Sequence, residues 1–168
     1  MASGLTRMHQ PGIRKATADD SEIVSELICE LSAKYITHEF SAQGVEHLLA
    51  SMNPGAIRKC FNADYQYHLA EMGDQVVGVV GVRDNSHLYH FFVAEKYQGR
   101  GIGRKLWQVA MDTCLSNGNA GEFTVNSSRY ALGIYEKLGF VAQSAPKEKS
   151  GVVYIPMKFK ESSCQEVK

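Results

Sequence analysis

The sequence predicts a mixed α/β fold, an α+β arrangement around a mixed sheet. Three observations carry the prediction. Between Tyr65 and Val93 three apolar or alternating runs are separated only by short turn signals, which reads as an antiparallel meander. From Gly103 the period changes: Gly103, Leu106, Trp107, Ala110, Met111, Cys114 and Leu115 fall at i, i+3, i+4, i+7, i+8, i+11 and i+12, one face of a helix. Beyond that helix, strand-like and helix-like segments alternate again, giving the order β-α-α-β-β-β-α-β-α-β-β.

Taken in order, Ile13 to Ala16 reads as a short strand. Thr17 to Asp20 supplies cap chemistry and first-turn acids for a helix whose apolar positions are Val24, Leu27, Ile28 and Leu31. A second helix is expected over Ser41 to Met52, with Val45, Leu48 and Leu49 turned inward. Asn53-Pro-Gly55 breaks it, and a short helix follows to Phe61. Strands follow at Tyr65 to Glu71, Gln75 to Val82 and His87 to Val93, with turns at Gly73-Asp74 and Asp84-Asn85. The long helix from Gly103 stops at Asn117-Gly118-Asn119. A strand is expected at Gly121 to Asn126, and a short helix at Tyr130 to Leu138 with Ala131, Ile134, Tyr135 and Leu138 on its apolar face. Gly139 ends that helix, and the last strands are Phe140 to Ser144 and Val152 to Phe159. The strand–helix–strand unit from His87 to Asn126 is expected to be a right-handed crossover.

A chain of 168 residues that is 44% hydrophobic and 21% charged fits one globular domain, with a core over about 13–159 and flexible tails at 1–12 and 160–168. Lys plus Arg and Asp plus Glu both number 18, and this zero balance argues against a dedicated nucleic-acid partner. No apolar run approaches a membrane span, and Met1 to Pro11 lacks the apolar stretch of a secretory signal, so no membrane association and a cytoplasmic location are expected. Met8 is an alternative start. Cys29, Cys60, Cys114 and Cys164 show no paired spacing and read as reduced thiols, with Cys114 structural.

The segment that carries chemistry runs from His87 to Trp107: a strand enters a glycine-rich loop that opens into the strongest helix. Gly99, Gly101 and Gly103 let a ligand approach the backbone. The first helical amides have no internal partners, and with the helix dipole they form an anion site, reinforced by Arg100, Arg104 and Lys105. The dinucleotide fingerprint fails on spacing, because the residue that should be its third glycine is Arg104. No Gly-Lys-Ser/Thr exists for a nucleoside-triphosphate loop. His87 and His90, three apart on a strand, are expected on opposite faces and make a poor metal pair. His38, His47 and His68 lack ligand spacing, so no metal is expected. No serine-nucleophile elbow is present.

Gln98-Gly-Arg-Gly101-Ile-Gly103 resembles the Q/R-x-x-G-x-G/A loop of the GNAT superfamily of N-acetyltransferases. Tyr135-Glu-Lys-Leu-Gly-Phe140 resembles that superfamily's Y-x-x-x-G-F signature, and Tyr154 to Lys158 resembles its closing strand. The resemblance implies a central, mostly antiparallel twisted sheet flanked by helices and splayed at the cofactor site. It implies acetyl-CoA as co-substrate, with the pyrophosphate on the backbone of Gln98, Gly99, Arg100, Gly101, Ile102, Gly103 and Arg104. The pantetheine arm would lie along Phe91, Phe92 and Val93, with Val125 and Asn126 lining the other side of the cleft. An asparagine that members often carry seven residues before the signature tyrosine is Ser128 here, a further candidate contact.

Tyr135 matches the superfamily tyrosine that protonates the departing thiolate. His87, with Tyr89, falls where some members carry catalytic histidines and is the candidate base, with His90 or a water chain as alternatives. The implied reaction is direct attack by an amine, from a small molecule or a protein, through a tetrahedral intermediate, with backbone amides near Val93 polarising the carbonyl. The acceptor pocket would come from Glu22 to Phe61 and from a turn at Ala145 to Gly151. Members often form dimers, so a homodimer is compatible with the resemblance. A non-catalytic acyl-CoA-binding module, or a protein-interaction module on the same fold, is the alternative reading.

Overall fold

The computed structural model describes residues 10–162. Met8, Cys164 and most of the two expected tails lie outside the described residues.

The chain begins on an edge strand, β1 (Gly12–Lys15), followed by a 3-10 turn at Ala18–Asp20 and helix α1 (Ser21–Tyr35). Arg14 fastens this start: it donates to both carboxylate oxygens of Asp20 at 2.9 and 2.8 Å and to Glu71 at 2.8 Å. That guanidinium holds the Asp20 carboxyl below its usual range. Asp20 also accepts from the Thr17 amide at 2.8 Å, closing a capping box. Helices α2 (Ala42–Ala50) and α3 (Pro54–Asn62) follow, each capped by the polar side chain just before it, Ser41 onto the Gly44 amide and Asn53 onto the Ala56 amide.

The expected meander is β2 (Gln66–Met72), β3 (Gln75–Arg83) and β4 (His87–Val93). Helix α4 (Ile102–Ser116) crosses to β5 (Glu122–Ser127), then come α5 (Leu132–Leu138), β6 (Val141–Ala142), β7 (Lys147–Lys149) and β8 (Val152–Lys160). The strand order is β1-β2-β3-β4-β5-β8-β6, with β7 paired to β8. The β4–β5 pair is parallel and every other pair is antiparallel. The sheet therefore takes in Gly12 and Lys160, one residue beyond the expected core at each end.

Apolar side chains fill both faces. On one, α4 lays Leu106, Trp107, Ala110 and Cys114 over Val80, Val82, Leu88, Phe123 and Val125. On the other, Val24, Ile28 and Ile57 from α1 and α3 cover Tyr67, Leu69 and Val79. The glycines of β3 sit where side chains press hardest on the sheet: a Cβ on Gly78 would lie 2.9 Å from Leu106, and one on Gly81 would lie 2.3 Å from the Tyr67 ring.

Four local expectations are corrected. Of Val45, Leu48 and Leu49 in α2, only Leu48 packs against the core. All three are half-buried, and Gly44 is the buried residue of α2 because it meets the backbone of Gly151, where a Cβ would fall 2.1 Å from the carbonyl oxygen. Ala145 to Gly151 is not a plain turn, since Lys147 to Lys149 pair with β8 in a hairpin. Helix α5 starts at Leu132 rather than Tyr130, because the Ser128 hydroxyl accepts from the Ala131 amide at 3.1 Å and holds the preceding turn; Ile134 is exposed on it. The expected strand at Phe140 to Ser144 shrinks to Val141–Ala142.

Phe140 is instead the residue that closes α5. Gly139 takes a left-handed conformation (φ 104°), and the Phe140 amide returns to the Tyr135 carbonyl at 3.0 Å. The Phe140 ring then lands among Trp107, Phe159 and Tyr135, at centroid distances of 5.3, 5.4 and 5.6 Å. A Phe140→Ala substitution is expected to lower unfolding free energy by about 3–5 kcal/mol, read as a shift in urea midpoint at unchanged slope. A loss below about 1 kcal/mol would show that this ring does not hold α5 in place.

Candidate active site

The parallel β4–β5 pair has only two registered positions, His87 with Thr124 and Leu88 with Val125. Beyond them the strands part, leaving a cleft of about 740 Å³. Strand β4 runs along it from His87 to the glycine loop, roughly 20 Å at strand rise. Its far side is formed by Asn126, Ser128, Tyr130 and Tyr135, and residues of α1, α2 and the β7–β8 hairpin also line it.

The gap exposes strand backbone. The Ala94 amide donates to Val77 at 2.8 Å, so Ala94–Val77 is a hydrogen-bonded pair. Alternation along the antiparallel ladder then gives the bonded positions to Phe92 and His90, and turns the peptide groups of Phe91 and Val93 toward the cleft. The Gln98 side chain donates to the Val93 carbonyl at 2.9 Å, tying the loop to the strand end.

At the loop, Gly99 and Gly101 hold φ of 74° and 80°, a region open to glycine at little strain. The first intrahelical bond from this side is the Lys105 amide to Gly101 at 3.1 Å. Six successive amides, Gly99 through Arg104, thus make no hydrogen bond among the described residues. Gly103 is needed for another reason: a Cβ there would sit 3.2 Å from the Phe91 ring, so its absence lets α4 begin directly against β4.

Most sequence-predicted residues converge on this cleft. His87, Phe91, Phe92, Val93, Gln98, Gly99, Gly101, Ile102, Gly103, Arg104, Asn126, Ser128 and Tyr135 all line it. Three details differ. Arg100 does not line the cleft; its guanidinium lies over the Tyr97 ring, 5.5 Å from the centroid. The Gln98 amide is spent on the Glu95 carbonyl at 3.2 Å. Val125 points into the α4 core, 2% exposed, because it is still in register with Leu88.

The facing of β4 is also corrected. The β3–β4 register slips between Gly81 and Val82, where Tyr89 is the extra residue. The bulge reverses the alternation, so Leu88 joins Phe91 and Val93 on the α4 side, while His87 joins His90 on the other. The two histidines therefore share a face. No group of three or more His, Cys, Asp or Glu is placed to hold a metal among the described residues.

The two imidazoles differ in what they can do. His90 is buried, its Nδ1 is 2.8 Å from the Tyr67 hydroxyl, and burial pushes its pKa down to about 3. His87 is half-buried, with Nδ1 2.7 Å from the Thr124 hydroxyl. Its pKa is lowered by burial first and then by the Arg83 charge, which keeps the ring neutral at neutral pH. Tyr135 packs on Phe91 at 5.9 Å between centroids, and burial raises its pKa, keeping the phenol protonated. Tyr35, Phe40 and Lys149, from the segments expected to form the acceptor pocket, and Tyr154, from the segment resembling the closing strand, also line the cleft, as do Arg83 and Tyr130, which sequence reasoning missed as site residues. Neither Arg83 nor Tyr130 lies in a motif; only the strand ending at Arg83 beside a turn could have suggested one of them.

Comparison with curated protein sequences finds no match. Solved structures do match in fold. An N-acetyltransferase, PaiA, from Thermoplasma acidophilum in complex with coenzyme A is 19% identical with TM-score 0.75, covering 91% of this chain and 100% of that one. A GCN5-related N-acetyltransferase from Rhodopseudomonas palustris is 18% identical with TM-score 0.75, covering 94% and 100%. Apo YjaB from Escherichia coli is 21% identical with TM-score 0.66, covering 90% and 98%. The family model of the acetyltransferase (GNAT) domain matches residues 36–161, three quarters of the chain, and takes in the whole glycine loop and the Tyr135–Phe140 segment. The chain belongs to the GNAT acetyltransferase family, whose members use acetyl-CoA.

Proposed function

We propose that the protein transfers the acetyl group of acetyl-CoA to a primary amine by direct attack, without an acyl-enzyme. The observation that carries this reading is the run of six unpaired amides, Gly99 to Arg104, at the end of a strand whose own unpaired edge lines the same cleft. Amides without a protein acceptor, converging at a helix N-terminus, offer donors to an anion. A pyrophosphate supplies the acceptors at the loop, and an extended amide-bearing arm supplies them along Phe91 and Val93. Acetyl-CoA contributes the activated thioester.

The chain's own residues divide the remaining work. The amides of the loop and the side chain of Arg104 hold the anion. The Val93 amide donates to the thioester carbonyl oxygen, where negative charge develops. His87, neutral and lining the cleft, accepts the amine's proton directly or through one water. Thr124 fixes its ring through Nδ1, which leaves Nε2 for that role. Tyr135, held protonated by burial, donates to the departing sulfur. The cleft walls exclude water from the thioester.

Removing the phenol tests the assignment most simply. Tyr135→Phe is expected to lower kcat about 100-fold or more, measured as thiol release, with acetyl-CoA affinity unchanged by calorimetry. Wild-type turnover in this variant would move the proton donor to another group.

The pH profile tests His87. Its lowered pKa means that the base form is present above that value and is lost as pH falls through it. The kcat/KM profile should therefore carry an acid limb with an apparent pKa below 6.5, and His87→Gln should abolish that limb. An unchanged limb in the variant would exclude His87 as the base.

A further inference from the structure

The cleft has an unusual charge make-up. Arg83 and His87 line the cleft at the N-terminal end of β4, Lys149 lines it at the β7–β8 hairpin, and no Asp or Glu lines any part of it among the described residues. Of the neighbouring carboxylates, Asp84 is 78% exposed, Glu95 is paired with Lys34, and Glu39, whose Oε2 is buried without a partner, is not a lining residue. An acceptor that is cationic at several points would find nothing to pair with there, and desolvating unpaired charge is costly.

Arg83 is placed to hold an anion. Its guanidinium lies over the Tyr89 ring at 5.6 Å, which fixes the plane of the fork. Its buried Nε is 3.3 Å from the solvent-exposed Asp84 carboxylate without a hydrogen bond, and its terminal nitrogens have no ion-pair partner among the described residues. A planar guanidinium with free terminal N–H groups matches a carboxylate bidentately. Arg83 is also the register partner of His87 across β3 and β4, so the two residues are cross-strand neighbours, about 5 Å apart at Cα. An anion on Arg83 thus leaves an amine a few bonds away next to the imidazole. Beside this point the wall is the Tyr89 ring; farther along the cleft, toward the C-terminal end of β4, lie Tyr154 and the pair of Tyr35 stacked on Tyr130 at 4.7 Å.

We infer that the acceptor is a small α-amino acid with an aromatic or bulky apolar side chain, its carboxylate held by Arg83 and its amine delivered to His87. This rests on the acetyl-transfer reading above. It sets the acceptor apart from polyamines and from simple aromatic amines, which lack the anion.

The test is thiol release from acetyl-CoA with L-phenylalanine, L-tyrosine and L-leucine, each beside its decarboxylated amine and its carboxamide, with spermidine and the phosphonate analogue of phenylalanine as further arms. The expected result is a kcat/KM at least tenfold higher for an amino acid than for its amine or amide, with Arg83→Gln bringing the ratio close to one. Arg83 is more than a third exposed at its side chain, so the variant is expected to fold, and the wild-type ratio stands without it. Amines, amides or spermidine acetylated as fast as the amino acids would overturn the inference while leaving acetyl transfer in place. A tenfold preference for the phosphonate would overturn the carboxylate assignment. A ratio unaffected by Arg83→Gln would remove Arg83 from the role. No thiol release with any acceptor, while acetyl-CoA still binds, would overturn both the inference and the catalytic reading.

Discussion

The unpaired backbone between β4 and α4 is the constraint on which the rest of the molecule depends. A sheet this extensive normally pairs its interior peptide groups, yet β4 and β5 share two registered positions and then separate. The peptide groups of Phe91 and Val93 are left facing a cleft, and the six amides after Gln98 are left unpaired at its end, all but Arg100 belonging to residues that line it. Open backbone of this kind persists only where the surrounding fold over-determines it and water or a ligand meets the polar groups.

The packing shows how the opening is held. Trp107 on α4 sits against Phe123, Phe140 and Phe159 at 5.0, 5.3 and 5.5 Å, joining β5, β8 and the end of α5 into one aromatic cluster behind the gap. Gly103 allows the first turn of α4 to touch Phe91, so the amide run begins where the strand edge ends. The bulge at Tyr89 puts Leu88 under α4 and His87 on the opposite face, next to Arg83. Elsewhere on the rim, Ser41 and Gly44 of α2 press on Gly151 of the β7–β8 hairpin closely enough that neither glycine has room for a Cβ. The cleft is thus framed by rigid elements on the loop side and by a clasp between two surface elements on the other.

Much of this was legible in the sequence, for definite reasons. The α4 periodicity is long and strict, and the loop and the Tyr135–Phe140 segment are contiguous motifs whose geometry is local: positive φ at Gly99, Gly101 and Gly139, and a helix N-terminus. What failed to show was non-local. The bulge at Tyr89 arises from pairing with Gly81, which must accommodate Tyr67, and no period-2 reading of His87 to Val93 contains it. Arg100 is basic and sits within the motif, but its side chain finds the Tyr97 ring instead of the cleft. The position of α2 depends on glycine contact with a hairpin a hundred residues away, and its amphipathic pattern therefore misleads. Arg83 comes beside His87 only through the sheet.

The central claim is that the Gly99–Arg104 amides and the free edge of β4 bind one ligand together. Amide chemical shifts, followed while acetyl-CoA is titrated into isotope-labelled protein, test this directly. The account predicts that Gly99, Gly101, Gly103 and Arg104 move together with Phe91 and Val93 and saturate at one common concentration. Shifts confined to other residues, or loop and strand amides that saturate independently, would contradict it.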